Sequence, residues 1–232
     1  MSLIDSSQAI GQIAVQLPGA TAVFRRLKLD FCCGGHISLE QAAGDKGLDL
    51  QAVVDELSAL QRPSELPDTG TPSELIDHIV ARYHEVHRAQ LPELIRMARR
   101  VEAVHRENPH TPRGLADALE AMEQELTLHM HKEEAVLFPM LRAGGNSFVS
   151  QPIAMMRHEH TDHGEALEHI ARLTNDITPP AEACNTWRAL YSGLAQLNDD
   201  LINHIHLENN VLFPQFEART EQAGCGSGCG CS

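Results

Sequence analysis

The chain has 232 residues, 42% of them hydrophobic, and 18 Lys and Arg against 32 Asp and Glu leave a formal charge of −14. That is apolar material for one or two cores, while the charge and only nine aromatic residues argue against nucleic acid or an anionic membrane as partner. The opening MSLIDSSQAIGQ has neither a basic nor an apolar leader region, and no stretch approaches the roughly 18 continuous apolar residues of a membrane span, so a cytoplasmic protein is expected.

In chain order, residues 1–62 read as a small domain of short helices with glycine-rich breaks, Ser38-Leu39-Glu40-Gln41 and Asp49 being helix starts. Residues 63–71 form a linker. A second domain, 72–222, opens with the capping box Thr71-Pro72-Ser73-Glu74 on a helix to about Arg106, kinked at Pro92. Thr111-Pro112 opens a second helix to about Pro139, a third runs from about Pro152 to Asn175, and Thr178-Pro179 opens a fourth to about Phe216. Four long helices with short connections predict an all-α antiparallel four-helix bundle behind a small helical domain, and residues 223–232 read as a flexible Gly/Cys tail.

Inside the bundle the chain repeats itself. HMHKEEAVLFP from His129 returns as HIHLENNVLFP from His204, so that His204, Glu208 and Pro214 follow His129, Glu133 and Pro139 at an interval of 75 residues, and His160/His163 follow His84/His87 at 76. Residues four apart on a helix are separated by about 40° around the axis and roughly 6 Å along it, so each His-x3-Glu pair can reach one ion. Leu126, Val136 and Leu137, with Leu201, Val211 and Leu212, complete an apolar stripe that turns these pairs inward.

With His84 and His160 added, the set is four imidazoles and two carboxylates, enough for two metals. Imidazole with carboxylate and no thiolate suits iron, manganese or zinc, and positions left open by bridging carboxylates favour a di-iron centre. One His-x3-Glu alone is usually a solvated ion pair; two in register, each with an upstream histidine, are not. Glu125 and Asp200 stand one turn before His129 and His204, and Glu159 precedes His160; these three are candidates for outer contacts or an entry path. His87, His131, His163 and His206 read as surface or outer residues, His105 as peripheral and Cys184 as core.

The His84 … His129-x3-Glu133 … His160 … His204-x3-Glu208 pattern, the LENNVLFP phrase at 207–214 and DFCCGG at 30–35 together resemble the bacterial iron-sulfur cluster repair di-iron proteins, the RIC family of the hemerythrin-like superfamily. The resemblance covers about residues 7–218. It implies a hemerythrin-like four-helix bundle holding two non-haem irons, oxo-bridged or not, with His84, His129, His160 and His204 as terminal ligands and Glu133 and Glu208 as bridges. It also implies a role in restoring iron-sulfur clusters damaged by nitric oxide or peroxide.

Six cysteines away from disulfide-framework spacings fit free thiols. Cys32 and Cys33 are either a tight turn or thiols for redox chemistry or partner contact, and no catalytic residue is assigned. A non-enzymatic repair factor that gives iron to damaged or apo iron-sulfur proteins is favoured. The alternatives are a protein that binds or reduces nitric oxide at adjacent irons, and a carrier or sensor of dioxygen or nitric oxide. Whether the chain forms a homodimer is open. Because all six candidate ligands lie beyond the linker, a chain beginning near Thr71 is expected to fold and hold both irons.

Overall fold

The computed structural model describes residues 4–17, 19–60, 70–146 and 148–217. Most of the expected linker and all of the expected Gly/Cys tail lie outside them. Among the described residues there is no strand, only an isolated antiparallel bridge between Ala9 and Ser38. The chain divides into two compact units, residues 76–204 and residues 1–75 with 205–232.

In residues 76–204 the fold is a four-helix bundle. Its first helix comprises the end of α5 (Pro72–Ile79), a π turn over Val80–His84 and α6 (Glu85–Val104), with Pro92 inside α6. The second is α7 (Leu115–Lys132), a π turn over Glu133–Leu137 and α8 (Phe138–Arg142). The third is α9 (Ser150–Leu173), and the fourth is α10 (Asn185–Leu207) as far as His204. Helix α6 packs on α7 and α7 on α9, and Gln90 on α6 donates to the Gly193 carbonyl of α10 at 3.0 Å. The apolar stripe of α7, Leu115, Leu119, Met122 and Leu126, is fully buried and leads straight into His129 and Glu133. Helix periodicity therefore carries the candidate ligands into the core.

The fourth helix begins later than its Thr178-Pro179 signal suggests. Ile170 and Ala171 carbonyls accept from Thr174 Oγ1, Asn175, Asp176 and Ile177 all take left-handed backbone, and α10 starts only at Asn185. The consecutive Pro179 and Pro180 explain the delay: a residue before proline is driven out of the helical region. Cys184 consequently sits ahead of the helix on the surface, not in the core as its position suggests. There its Sγ meets His105 Nε2 at 3.2 Å, while the His105 ring lies 5.0 Å from that of buried Trp187.

The other unit contains α1 (Ile10–Gln16), α2 (Ala20–Arg26), α3 (Leu39–Asp45) and α4 (Leu50–Ala59), with α1 against the π turn Glu208–Leu212 that continues α10. The predicted starts have their caps. Ser38 Oγ accepts the Gln41 amide at 3.1 Å, and Asp49 Oδ1 accepts the Gln51 amide at 2.9 Å. At the head of α5, Glu74 Oε2 accepts the Thr71 amide at 2.6 Å while Thr71 Oγ1 accepts the Glu74 amide at 3.3 Å, the reciprocal bonds of a capping box.

The Phe31–Gly35 segment is held by side chains of the terminal helical stretch. Asn209 Nδ2 donates to the Cys32 carbonyl at 3.1 Å, Asn210 Nδ2 lies 3.3 Å from the carbonyls of both Phe31 and Cys32, and the Phe31 ring meets the His206 ring edge-on at 5.1 Å. Gly35 allows the approach, since its carbonyl accepts the Gly11 amide at 2.9 Å and a Cβ there would collide with the Phe31 carbonyl and lie 3.0 Å from Gly11 Cα. Gly35→Ala is expected to cost about 1–3 kcal/mol through forced backbone movement, measured by urea unfolding. Unchanged stability would mean the segment accommodates a methyl group.

This partition changes the expectation for a truncated chain. Residues 205–217 belong to the compact unit of the N-terminal helices, so a protein beginning near Thr71 loses the partners of His206, Asn209 and Asn210. We expect it to bind less iron than the full chain and to aggregate more readily, as read by metal analysis and light scattering. Full metal content in a monodisperse truncated protein would refute this.

Candidate metal centre

Each π turn starts or ends on a candidate ligand: His84 closes Val80–His84, Glu133 opens Glu133–Leu137 and Glu208 opens Glu208–Leu212. Such wide turns are rare and concentrate at functional sites. His84, His160, His204, Glu133 and Glu208 are fully buried, and His129 is 1% exposed.

The imidazoles meet in pairs. His84 Nε2 and His204 Nε2 are 3.1 Å apart, as are His129 Nε2 and His160 Nε2. Glu133 faces one member of each pair, with Oε2 at 3.4 Å from His84 Nε2 and Oε1 at 3.4 Å from His129 Nε2. Glu208 lies one turn beyond His204 on the same continuous helical run. Within residues 76–204 two groups result, His84/Glu133/His204 and His129/Glu133/His160, and within each the ligand atoms lie within 4.8 Å of one another.

The donor set fits metal. A buried carboxylate, Glu133, among four imidazoles places negative charge where water cannot disperse it, and a cation would compensate that charge. Nitrogen with carboxylate oxygen and no sulfur is the donor chemistry of iron, manganese or zinc.

Two imidazoles are oriented from behind by carboxylates, each anchored to a cation. His84 Nδ1 donates to Glu134 Oε1 at 2.6 Å, and Arg88 donates to the same oxygen at 2.7 Å. His129 Nδ1 donates to Glu159 Oε2 at 2.9 Å, and Lys132 bonds the other oxygen. The hydrogen bond from His129 drives the Glu159 carboxyl down to about 2, with Lys132 adding to it. For Glu134, burial alone would raise the carboxyl, but the bonds from His84 and Arg88 outweigh it and the group is lowered. Such partners fix the tautomer and leave each Nε2 to face a metal. His204 is backed differently, by the Tyr83 ring stacked at 5.5 Å with an interplanar angle of 6°.

Glu159, a candidate from its position beside His160, is the acceptor of the His129 bond. Glu125 is exposed, one residue off the buried stripe whose place Leu126 takes. Its counterpart Asp200 is 4% exposed and accepts from Arg82 at 2.6 Å. Glu134 escaped the sequence reading because neighbours i and i+1 point to different helix faces; it faces sideways toward the helix of His84 while Glu133 faces the centre. Of the histidines read as surface or outer residues, His131 is exposed, whereas His87, His163 and His206 are buried. The His163 ring stands edge-on to His129 at 4.8 Å, and burial, reinforced by the neighbouring imidazoles, drives its pKa down to about 3.

Cys32 and Cys33 are half-buried with Sγ atoms 3.7 Å apart, too far for a disulfide. The bond to Cys33 and burial push the Cys32 thiol up, which keeps it protonated and a poor nucleophile.

Removing an outer carboxylate tests this arrangement. Glu159→Leu is expected to weaken iron retention about 10- to 100-fold with the bundle intact, measured as release to a chelator. Release at the parent rate would show that His129 needs no such partner.

A hemerythrin HHE cation binding domain model matches residues 75–216, and a Domain of Unknown function (DUF542), ScdA_N, matches residues 6–61. The iron-sulfur cluster repair protein YtfE of Cronobacter sakazakii is 51% identical over 210 residues, covering 90% of this chain and 95% of that one. The proteins of that name from Dickeya chrysanthemi and Escherichia coli O8 are 50% identical over 211 residues and 48% over 210, each covering 90% of this chain and 96% of the relative. The chain, which joins these two domains, therefore belongs to the iron-sulfur cluster repair family.

Proposed function

We propose that this protein restores damaged iron-sulfur clusters by supplying iron from a pair of ions held by His84, His129, Glu133, His160, His204 and Glu208. The supporting observation is the position of Glu133, whose two oxygens face one imidazole from each pair. A carboxylate so placed can serve two ions, or release one while keeping the other. Iron in such a set is redox-active and exchangeable, the property a donor requires. Glu134 with Arg88 and Glu159 with Lys132 meanwhile keep His84 and His129 oriented, so the site retains its shape as iron leaves.

The relatives are named for cluster repair, which fits this reading. The recipients are damaged or apo iron-sulfur proteins, and nitric oxide or dioxygen are small ligands suited to open iron positions. No helix among the described residues is long and apolar enough to cross a membrane, in keeping with work in the cytoplasm.

The test mixes reduced, iron-loaded protein anaerobically with an apo iron-sulfur enzyme and a sulfide source. The acceptor should regain activity as the donor loses iron in proportion. Iron retained by the donor without recovery would remove the reading. Nitrous oxide formed over many turnovers from nitric oxide and a reductant would install a reductase in its place.

A further inference from the structure

We propose that Asp30, Cys32 and Cys33 form a second metal site, taking a thiophilic divalent ion of the ferrous iron or zinc class. Their ligand atoms lie within 4.8 Å of one another, in a compact unit that contains none of the histidines assigned to the bundle centre. The spacing is that of a coordination shell. A tetrahedral ion with sulfur at about 2.3 Å and oxygen at about 2.1 Å holds its sulfurs about 3.8 Å apart and each sulfur about 3.6 Å from the oxygen. Here the two Sγ atoms are 3.7 Å apart, and Cys32 Sγ is 3.2 Å from Asp30 Oδ1.

The loop is preorganised for this. Asp30 Oδ1 and Oδ2 accept the Cys33 and Gly34 amides, each at 2.9 Å, while Phe31 is buried and Asn209 and Asn210 hold the Cys32 carbonyl. A turn-capping aspartate alone would leave the thiols free to point anywhere; here both face its carboxylate. Asp30 is exposed and the cysteines are half-buried, so the fourth position opens to solvent, as in sites that exchange their ion. Binding replaces both thiol protons: Cys32 and Cys33 each bind as thiolate, and their two protons leave to solvent.

The inference does not depend on the repair reading and is tested with the metal alone. The full chain, with iron in the bundle and with Cys184, Cys225, Cys229 and Cys231 replaced by Ser, is titrated with Cd(II), a spectroscopic probe for thiolate ligands. Thiolate-to-cadmium charge-transfer absorption should grow to one equivalent while bundle iron stays constant. Cys32→Ser with Cys33→Ser should abolish it. Asp30→Asn, which keeps one oxygen for the turn, should weaken binding about tenfold or more, with circular dichroism verifying the fold. Absence of the absorption in the quadruple-Ser chain, or cadmium uptake only in exchange for iron, would overturn the site. An Asp30→Asn chain that binds as tightly as its parent would overturn the three-ligand assignment.

Discussion

Glu133→Leu is expected to remove most of the iron from this protein, and to do so more severely than His84→Ala. The carboxylate faces both imidazole pairs, at 3.4 Å from His84 and from His129, so under the proposed two-ion arrangement its loss would deprive both ions of a ligand, where His84 would serve one. Removing it also takes away negative charge that buried cations need, while the four imidazoles stay crowded in a fully buried pocket. Glu208→Leu should behave alike, because Glu208 holds in the second copy of the repeat the place that Glu133 holds in the first. Iron content per chain after expression in iron-replete medium is the measurement. Near-parent iron in both glutamate variants would show that they do not bridge, and a single tightly held zinc in the parent would remove the di-iron reading altogether.

The second large effect lies in the bundle core. Trp187 is fully buried, with the His105 ring at 5.0 Å and the Tyr191 ring at 6.3 Å, and it stands two residues into α10. Trp187→Ala should cost about 3–5 kcal/mol, the lost transfer energy of a large ring plus a cavity that neighbouring helices close only in part. For a chain of this size that is a fall of roughly 10 °C in the unfolding midpoint. Far-ultraviolet circular dichroism must read it, because this is the chain's only tryptophan and its fluorescence disappears with it. A shift of only a degree or two would mean that the helices repack across the gap.

Much of the candidate site was legible because a helix converts spacing into direction. The 75-residue recurrence of His-x3-Glu and the apolar stripe through Leu126 and Leu201 turn His129, Glu133, His204 and Glu208 inward, and the recurrence of His84 as His160 at 76 adds the other two. Caps were legible for the same reason: Ser38, Asp49 and Thr71 satisfy amides within three residues of themselves. The late start of α10 was obscured because a Thr-Pro start signal competes with the next proline, and the consecutive pair resolves it only in the folded loop. Glu125 and Asp200 show the limit of the repeat. They hold equivalent places, yet only Asp200 is buried, where it accepts from Arg82, while Glu125 is exposed.

By itself the sequence determined the helical class and the inward direction of Leu126, Leu137, Leu201 and Leu212, since each depends on periodicity along one helix; Val136, read into the same stripe, lies in the wide turn Glu133–Leu137 and is 52% exposed. Only the tertiary structure decided what stands behind the candidate ligands, because that depends on which side chain a neighbouring helix presents. Glu134 and Asn209 occupy matching places in the two copies, in KEEAVLFP and LENNVLFP. In the first copy a carboxylate accepts from His84; in the second an amide donates to the Cys32 carbonyl. A carboxylate can orient an imidazole beside a cation, and an amide can donate to a carbonyl without adding charge. The two halves of one repeat therefore serve different ends, one holding a ligand and the other holding the N-terminal segment.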